Sequence, residues 1–357
     1  MLADPGMACR VTPGLVYVDD TEPGLARRRR GRGFTYLDVD GRPLDDQLVV
    51  ARLRSLAVPP AWTDVWFCAD PDGHIQATGR DAKGRKQYRY HAEWQRARNE
   101  AKFESLRDFG GALAVLRERV GADMRRGDLS AEHVVATTVW LLDKTLIRIG
   151  NVEYSRDSFG LTTLLCKHVK VAADTLRFRF VGKSGKPHDV VLSDRRVARI
   201  VAKCQELPGQ KLLQCVTGDG NAGDGGNGGG GVGGGGVRGI GSRDVNDYIR
   251  EVTSTDFTAK TFRTWGASVH AMAQLRELDP PATEGEATAR IREVVKATAE
   301  RLRNTPAVCR QSYVHPAVLD AYADGSLRSA APRVRGRARE LLADDEARLL
   351  TLLRTKP

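Results

Sequence analysis

The sequence predicts an α+β protein of two domains: a small β-rich N-terminal domain, residues 1–98, and a larger, mainly helical domain, residues 99–357. Three observations carry this reading. Up to residue 98, short β-prone runs alternate with Asp-Gly and proline-containing turns. From Ala92 onward the apolar residues change to a period of three and four. At 357 residues, with an ordinary apolar fraction of 41%, the chain is long enough for two cores.

Taken in order, residues 1–32 contain Arg27, Arg28, Arg29, Arg30 and Arg32, and read as a flexible basic arm, solvated or resting on phosphates. Residues 34–38 are β-prone and run into Val39-Asp40-Gly41-Arg42, where Asp-Gly signals a turn. One helix is expected between Leu44 and Leu56, and Pro59-Pro60 breaks the chain before Trp62. Residues 65–69 form another strand, followed by the turn Asp70-Pro71-Asp72-Gly73 and the strand 74–78. Val135, Val139, Leu142, Leu146 and Ile149 then place one apolar stripe on a helix, with Ser130 as its N-cap. A β interlude follows at 169–171, 175–181 and 190–192, and Arg177 and Arg179 alternate with apolar residues as on a half-exposed strand. The last two of these strands are joined by the turn Gly182-Lys183-Ser184-Gly185-Lys186.

Residues 218–241 are mostly glycine and read as a disordered, flexible loop, because ordering such a tract loses too much backbone entropy. The tract lacks the Gly-Lys-Ser/Thr ending of a phosphate-binding loop. Helices resume at 243–252 and at 284–302, the latter with Ile291, Val294, Val295, Thr298 and Leu302 on one face. Pro306 opens a new segment leading to Tyr313, and residues 333–357 read as one basic-to-amphipathic helix.

Composition narrows the function. The net charge of +11 favours a polyanionic partner: DNA, RNA or an acidic membrane surface. No apolar run is long enough to span a bilayer, and the acidic, non-apolar N-terminus argues against a signal peptide. Cys9, Cys68, Cys166, Cys204, Cys215 and Cys309 are scattered without a C-x-x-C pair, so disulfides and a zinc knuckle both fit poorly. A reducing cytoplasm is the expected location. His168 and His188 lack regular ligand spacing, so no metal site is expected; His188 reads as structural or phosphate-contacting.

The residues that carry chemistry are Arg148 in Leu146-Ile147-Arg148-Ile149-Gly150, Lys183 after Phe180-Val181-Gly182, Arg263 in Phe262-Arg263-Thr264-Trp265-Gly266, and Tyr313. A phosphodiester under attack gathers negative charge, and guanidinium forks suit it because they stay charged and donate to two oxygens at once. A lysine among arginines can protonate a leaving alkoxide, and nearby cations help to ionise a tyrosine. Singly, each has a plainer reading: a surface charge, a soluble hairpin tip, a half-buried packing ring. Arg148 departs from that, since an unpaired charge in so apolar a setting is costly.

Together, these residues resemble the type IB DNA topoisomerases, closest to the compact poxvirus-like branch found in bacteria. The motifs are TLIRIG around Arg148, GLTTL at 160–164, KHV at 167–169, FVGKSGKPH around Lys183, FTAKTFRTWG around Arg263, and N-T-P-x₆-Y ending at Tyr313. GHIQATGRDAKGRKQYRYH at 73–91 extends the resemblance to the first domain, so that it runs from about Gly33 to Asp320.

The resemblance implies a catalytic domain of the tyrosine recombinase/topoisomerase IB type and a monomeric clamp around duplex DNA, relaxing supercoils at the nucleoid. Tyr313 would attack the scissile phosphate, forming a 3′-phosphotyrosyl bond and releasing a 5′-hydroxyl strand. Arg148, Arg263 and Asn304 would hold the nonbridging oxygens, with Lys183 as general acid. The covalent bond conserves the energy of the cut, so rotation and religation need no cofactor, neither ATP nor metal. Asn304 stands where the family has histidine, and its amide can donate to phosphate without adding charge.

For DNA contact, the resemblance points to Arg85, Lys86, Gln87, Tyr88 and Tyr90, the basic side chains on phosphates and the rest in the major groove. Tyr154 matches a further DNA-contact position, while Asn151 and Glu153 replace expected lysines. Two rival readings differ in class. A tyrosine site-specific recombinase shares the chemistry, but Lys260-Thr261-Phe262-Arg263 lacks its H-x-x-R histidine. A non-enzymatic DNA-binding protein is suggested by Asn304 and opposed by the survival of Tyr313, Lys183 and both arginines.

Overall fold

A computed structural model describes residues 13–151, 158–217, 236–329 and 333–355. The chain divides into two compact units, Met1–Lys102 and Phe103–Pro357.

In the first unit the strands are β1 (Leu25–Arg30), β2 (Gly33–Leu37), β3 (Thr63–Phe67), β4 (Ile75–Arg80) and β5 (Lys86–Tyr90), with one helix, α1 (Gln47–Ser55). They form a single antiparallel sheet in the order β2-β1-β3-β4-β5. Alternation puts Leu25, Phe67 and Ala77 into a small core with Leu53 of α1 and Val58. Asp46 caps α1 by accepting the backbone N–H groups of Leu48 and Val49.

The arm expected over residues 1–32 is not flexible at its arginine run, and residues 1–12 of it lie outside the described residues. Arg27 to Arg30 lie within β1, which pairs with β2 along its length and with β3 at Leu25 and Ala26. Arg27 is held as a structural group: its guanidinium donates to the carbonyls of Val58 (2.9 Å) and Pro59 (2.5 Å) and lies 4.1 Å from the Phe34 ring centroid. A buried leucine at the strand start and these carbonyl partners fix a segment that composition alone marks as solvated.

Helix α2 (Ala92–Asp123) contains the boundary between the units. The second unit continues with α3 (Ala131–Thr145), a three-stranded antiparallel sheet of β6 (Val169–Ala172), β7 (Thr175–Val181) and β8 (Pro187–Ser193), and α4 (Arg195–Glu206). Then come the two-stranded pair β9 (Gln214–Val216) and β10 (Val237–Gly239), and the helices α5 (Ser242–Thr253), α6 (Ala259–Arg276) and α7 (Glu284–Leu302). The chain finishes with α8 (Pro306–Ser312), α9 (Pro316–Ala323), α10 (Arg337–Leu341) and α11 (Asp344–Thr355). No helix among the described residues is long and apolar enough to cross a membrane.

Three boundaries differ from expectation. Helix α3 keeps Ser130 as its N-cap but stops at Thr145, because Leu146 turns left-handed (φ 54°) and the Thr145 hydroxyl accepts the Ile147 N–H. The glycine tract falls outside the described residues at 218–235, yet its last residues are ordered: Val237 to Gly239 pair with β9, and Gly241 starts α5. The tail is two helices, since acidic Asp344 and Asp345 open a new N-terminus and Glu346 accepts the Ala343 N–H.

The core of the second unit centres on α2, α3 and α6, where Phe109 meets Phe262 and Trp265 edge-on at 5.1 and 6.0 Å. A charge network ties α11 to this core. Arg117 of α2 bonds Asp143 of α3 (2.8 Å) and Glu346 of α11 (2.6 Å), and Trp265 donates to Glu346 (3.2 Å). Removing Glu346 leaves Arg117 paired with Asp143 but strips the acceptor from Trp265 and from the Ala343 N–H, so Glu346→Ala is expected to cost about 1–3 kcal/mol. Denaturant unfolding followed by tryptophan fluorescence checks this; a loss below about 1 kcal/mol would make the network superficial.

Candidate active site

Three segments of the second unit bring the chemistry together. The first is the turn after α3. There Arg148 O accepts the Leu161 N–H (2.9 Å) and Ile149 O accepts the Thr162 N–H (2.8 Å), so the arginine sits on a braced loop, not a helix end. The approach needs glycine on both sides. A Cβ at Gly160 would lie 2.5 Å from Arg148 O, and Gly150 has φ +88°.

The second is α6, which supplies Arg263, only 3% exposed. Its guanidinium donates to the backbone carbonyls of Leu146 and Leu302 (the latter at 2.8 Å), tying α6 to the ends of α3 and α7. Its Nε is buried and has no hydrogen-bond acceptor. Burial, followed by the neighbouring Arg148 charge, pulls its pKa down to about 10, which still leaves it charged at neutral pH.

The third runs from α7 into α8. Arg303 ends α7 in a left-handed cap, Asn304 N bonds Ala299 O, and Thr305 caps α8 with Pro306 at its first position. Asn304 Oδ1 accepts Arg148 Nη2 at 2.5 Å. A guanidinium only donates, so this bond fixes the amide orientation and leaves Nδ2 as a donor, buried and without an acceptor.

Tyr313, where α8 ends, is 5% exposed. Arg148 Nη1 reaches its hydroxyl at 3.4 Å, and the Arg263 guanidinium lies 5.4 Å from its ring centroid. Burial alone would raise the phenol pKa. Arg148 and Arg263, assisted by Lys260, outweigh it and hold the group below its ordinary value.

Lys183 stands apart. It lies in the β7–β8 hairpin, exposed, with no hydrogen-bond or ion-pair partner among the described residues. The hairpin tip turns through left-handed Ser184 (φ 63°) and Gly185 (φ 71°). At its base His188 stacks on Phe180 (centroids 4.5 Å apart, 9° between planes). Burial, then Arg303, Arg263 and Arg148, depress its pKa to about 4, so the ring is neutral at pH 7.

The structure therefore groups Arg148, Arg263, Asn304 and Tyr313 and leaves Lys183 outside their contacts. It also brings in residues to which the sequence reading gave no role. Ser268, on α6 with Arg263, donates to Tyr313 O (3.2 Å) and accepts the His315 N–H (2.9 Å), holding the chain around the tyrosine. Lys260 lies three residues before Arg263 on the same helix, a spacing that could have revealed it. Among the described residues, no group of three or more His, Cys, Asp or Glu could hold a metal ion.

In the first unit, the expected DNA-contact residues fall on edge strand β5 and its preceding turn, but on two faces. Lys86, Tyr88 and Tyr90 share one face, with the tyrosine rings stacked 5.8 Å apart at 11°. Gln87 and Arg89 occupy the other. Asp81 accepts from Arg85 (2.7 Å) and Gln87 (3.0 Å), and Asp20 from Lys86 (2.6 Å). Tyr154 lies outside the described residues.

Comparison with known proteins adds the relationship. Residues 91–333 match the family described as eukaryotic DNA topoisomerase I, catalytic core, and residues 33–81 match bacterial DNA topoisomerase IB, N-terminal domain. The chain is 30% identical to DNA topoisomerase 1B of Acanthamoeba polyphaga mimivirus over 304 residues, 84% of this chain and 87% of that protein. It is 23% identical to DNA topoisomerase 1B of Vaccinia virus (strain Copenhagen) over 156 residues, 42% of this chain and 49% of that protein. Over 115 residues, 31% of this chain and 11% of the relative, it is 27% identical to DNA topoisomerase 1 of Mycosarcoma maydis.

Proposed function

The chain belongs to the type IB DNA topoisomerase family, and we propose a division of the cleavage and religation steps among its residues. It is a DNA topoisomerase IB, an isomerase whose substrate is DNA. In the proposal, Tyr313 Oη attacks the scissile phosphorus, its proton leaves to solvent, and the bond to the 5′ oxygen breaks. The products are a 3′-phosphotyrosine and a 5′-hydroxyl end. After the free end rotates, the same 5′ hydroxyl attacks the phosphotyrosine and restores both partners. The energy stays in the exchanged ester, so no step calls for ATP or a metal ion.

The observation that carries the assignment is a pair of buried donors without acceptors, Arg263 Nε and Asn304 Nδ2, in the same site as Tyr313. Orphaned buried donors are costly in a resting protein, and a nonbridging phosphate oxygen satisfies them. Arg148 links the set, since it bonds both Asn304 and the Tyr313 hydroxyl. Asn304 thus acts as a neutral donor pre-aimed by Arg148. Asn304→Ala is expected to lower the single-turnover cleavage rate about 100-fold, the loss typical of one transition-state donor. A rate within about threefold of wild type would remove Asn304 from the site.

Lys183 is assigned as the acid for the leaving 5′ oxygen, with bound duplex bringing its hairpin to the phosphate. One chain carries every catalytic group, which favours a monomer, and the free cysteines among the described residues fit action on supercoiled nucleoid DNA in a reducing cytoplasm. The testing experiment is relaxation of supercoiled plasmid in EDTA without ATP. Relaxation under these conditions is expected, and its absence would overturn the metal-free scheme.

A further inference from the structure

The motif Arg-Lys-Gln-Tyr-Arg-Tyr at 85–90 suggests that β5 supplies the phosphate-holding charge of the first unit. Its cations are committed elsewhere. Arg85 is forked onto Asp81, Lys86 is bonded to Asp20 at 2.6 Å, and Arg89 donates to Ala57 O at 3.0 Å beside the Trp62 ring. Asp20 is itself held by the Thr78 hydroxyl (2.8 Å), so moving Lys86 onto a phosphate would break a fixed pair.

The free charge lies on the other side of the sheet. Arg28, Arg29, Arg30 and Arg32 are exposed and have no hydrogen-bond or ion-pair partner among the described residues. They sit on the β1–β2 hairpin, whose turn passes through Gly31 at φ +57°. Since β3 pairs with β1 only at Leu25 and Ala26, residues 28–35 form a two-stranded ribbon beyond the sheet's pairing. Beyond that pairing β3 is irregular, with left-handed Asp64 and a register shift against β4 between Thr63 and Trp66.

Register fixes where the ribbon lies relative to β5. Leu25 is opposite Phe67, Phe67 opposite Ala77, and Ala77 opposite Arg89; toward the other end, Thr63 faces Arg80 and Arg80 faces Lys86. The arginine ribbon and the turn before β5 therefore project from the same end of the sheet. β1 and β5 are three strand spacings apart, roughly 14 Å. That is comparable to the roughly 12 Å width of a duplex major groove. The matched N-terminal family region begins at residue 33, so these arginines lie outside it.

We propose that the Arg28, Arg29, Arg30 and Arg32 ribbon is the phosphate grip of the first unit, holding the duplex backbone beside the groove that β5 reads. The grip contacts phosphodiesters of any sequence and sets affinity and salt dependence. β5, with its cations locked, contributes base contacts through Gln87, Tyr88 and Tyr90. The grip's placement beside that groove, though not its hold on phosphate, rests on β5 as the groove-reading strand.

The test is binding of full-length protein to two duplexes of unrelated sequence, by fluorescence anisotropy between about 50 and 200 mM salt. Wild type is compared with Arg28→Gln/Arg29→Gln/Arg30→Gln/Arg32→Gln and with the tip pair Arg30→Gln/Arg32→Gln. Each lost phosphate contact lowers the slope of log K against log salt by about 0.9, so decreases of about 3.6 and about 1.8 are expected, equal on both duplexes. The tip pair decides the matter if the fourfold variant loses its fold by circular dichroism. Unchanged slopes overturn the proposal. A loss confined to one duplex also overturns it, because the ribbon would then be reading bases. The reading of β5 is tested apart, by mapping cleavage positions with Gln87→Ala. If that map is unchanged while the ribbon variants lose slope, the reading of β5 fails and the grip stands.

Discussion

Tyr313→Phe is expected to bind duplex DNA like wild type and to form no covalent protein–DNA adduct, with cleavage down on the order of 10⁶-fold, as when a nucleophile is removed from a concerted site. Phenylalanine keeps the ring beneath Arg263 and loses only the hydroxyl that Arg148 approaches at 3.4 Å. The fold around Ser268 is unaffected, because its bonds there involve the Tyr313 carbonyl and the His315 N–H. The measurement is a denaturing gel of a labelled suicide duplex, beside plasmid relaxation. Residual adduct above about 1% of wild type would place the nucleophile elsewhere.

The pH profile belongs to the same prediction. Although burial opposes it, Arg148 and Arg263 hold the Tyr313 phenol below its ordinary pKa of 10. Raising the pH deprotonates the phenol, so single-turnover cleavage rises with pH, with a midpoint below the ordinary phenol value. Arg148→Ala removes the leading cation beside the phenol, and its rising limb should move to higher pH. An unmoved limb would assign that ionisation to another group.

Much of the site could be read from the sequence because each group sits in a short local context that folds as a unit. Arg148 lies between apolar residues at a helix exit, Arg263 inside an apolar helix, and Tyr313 a few residues after Thr305-Pro306. What escaped was set by pairing between distant segments. The turn that braces Arg148 depends on Gly160 to Thr162, so an unbroken apolar stripe ran the expected helix four residues too far, to Ile149. The arginine run became a strand because β2 and Phe34 meet it across a hairpin, and no local charge pattern announces that. The split of Gln87 from Tyr88 and Tyr90 follows from strand alternation and was available in principle. The carboxylate that locks Lys86 was not, since Asp20 comes from 66 residues away.

Lys183→Ala is the second large effect. In the unbound protein Lys183 is exposed and partnerless among the described residues, so it stabilises nothing there, and its loss should leave the melting temperature unchanged. Its predicted role begins when the 5′ oxygen leaves: an alkoxide is a poor leaving group, and a positioned acid contributes about 10²–10⁴-fold. Cleavage should fall by that factor with DNA affinity retained. A bland loss of charge would produce a similar fall through weaker phosphate contact, so the leaving atom must be varied. A duplex with sulfur in place of the scissile 5′ oxygen needs no proton, because a thiolate departs unaided. Lys183→Ala should cleave it at close to the wild-type rate. Asn304→Ala should remain slow on the same duplex, since its donor serves the nonbridging oxygens. If sulfur fails to restore Lys183→Ala, the lysine is a phosphate contact and the acid is another group. If sulfur restores both variants equally, departure of the strand limits both, and the separation of acid from oxygen-holding donors fails.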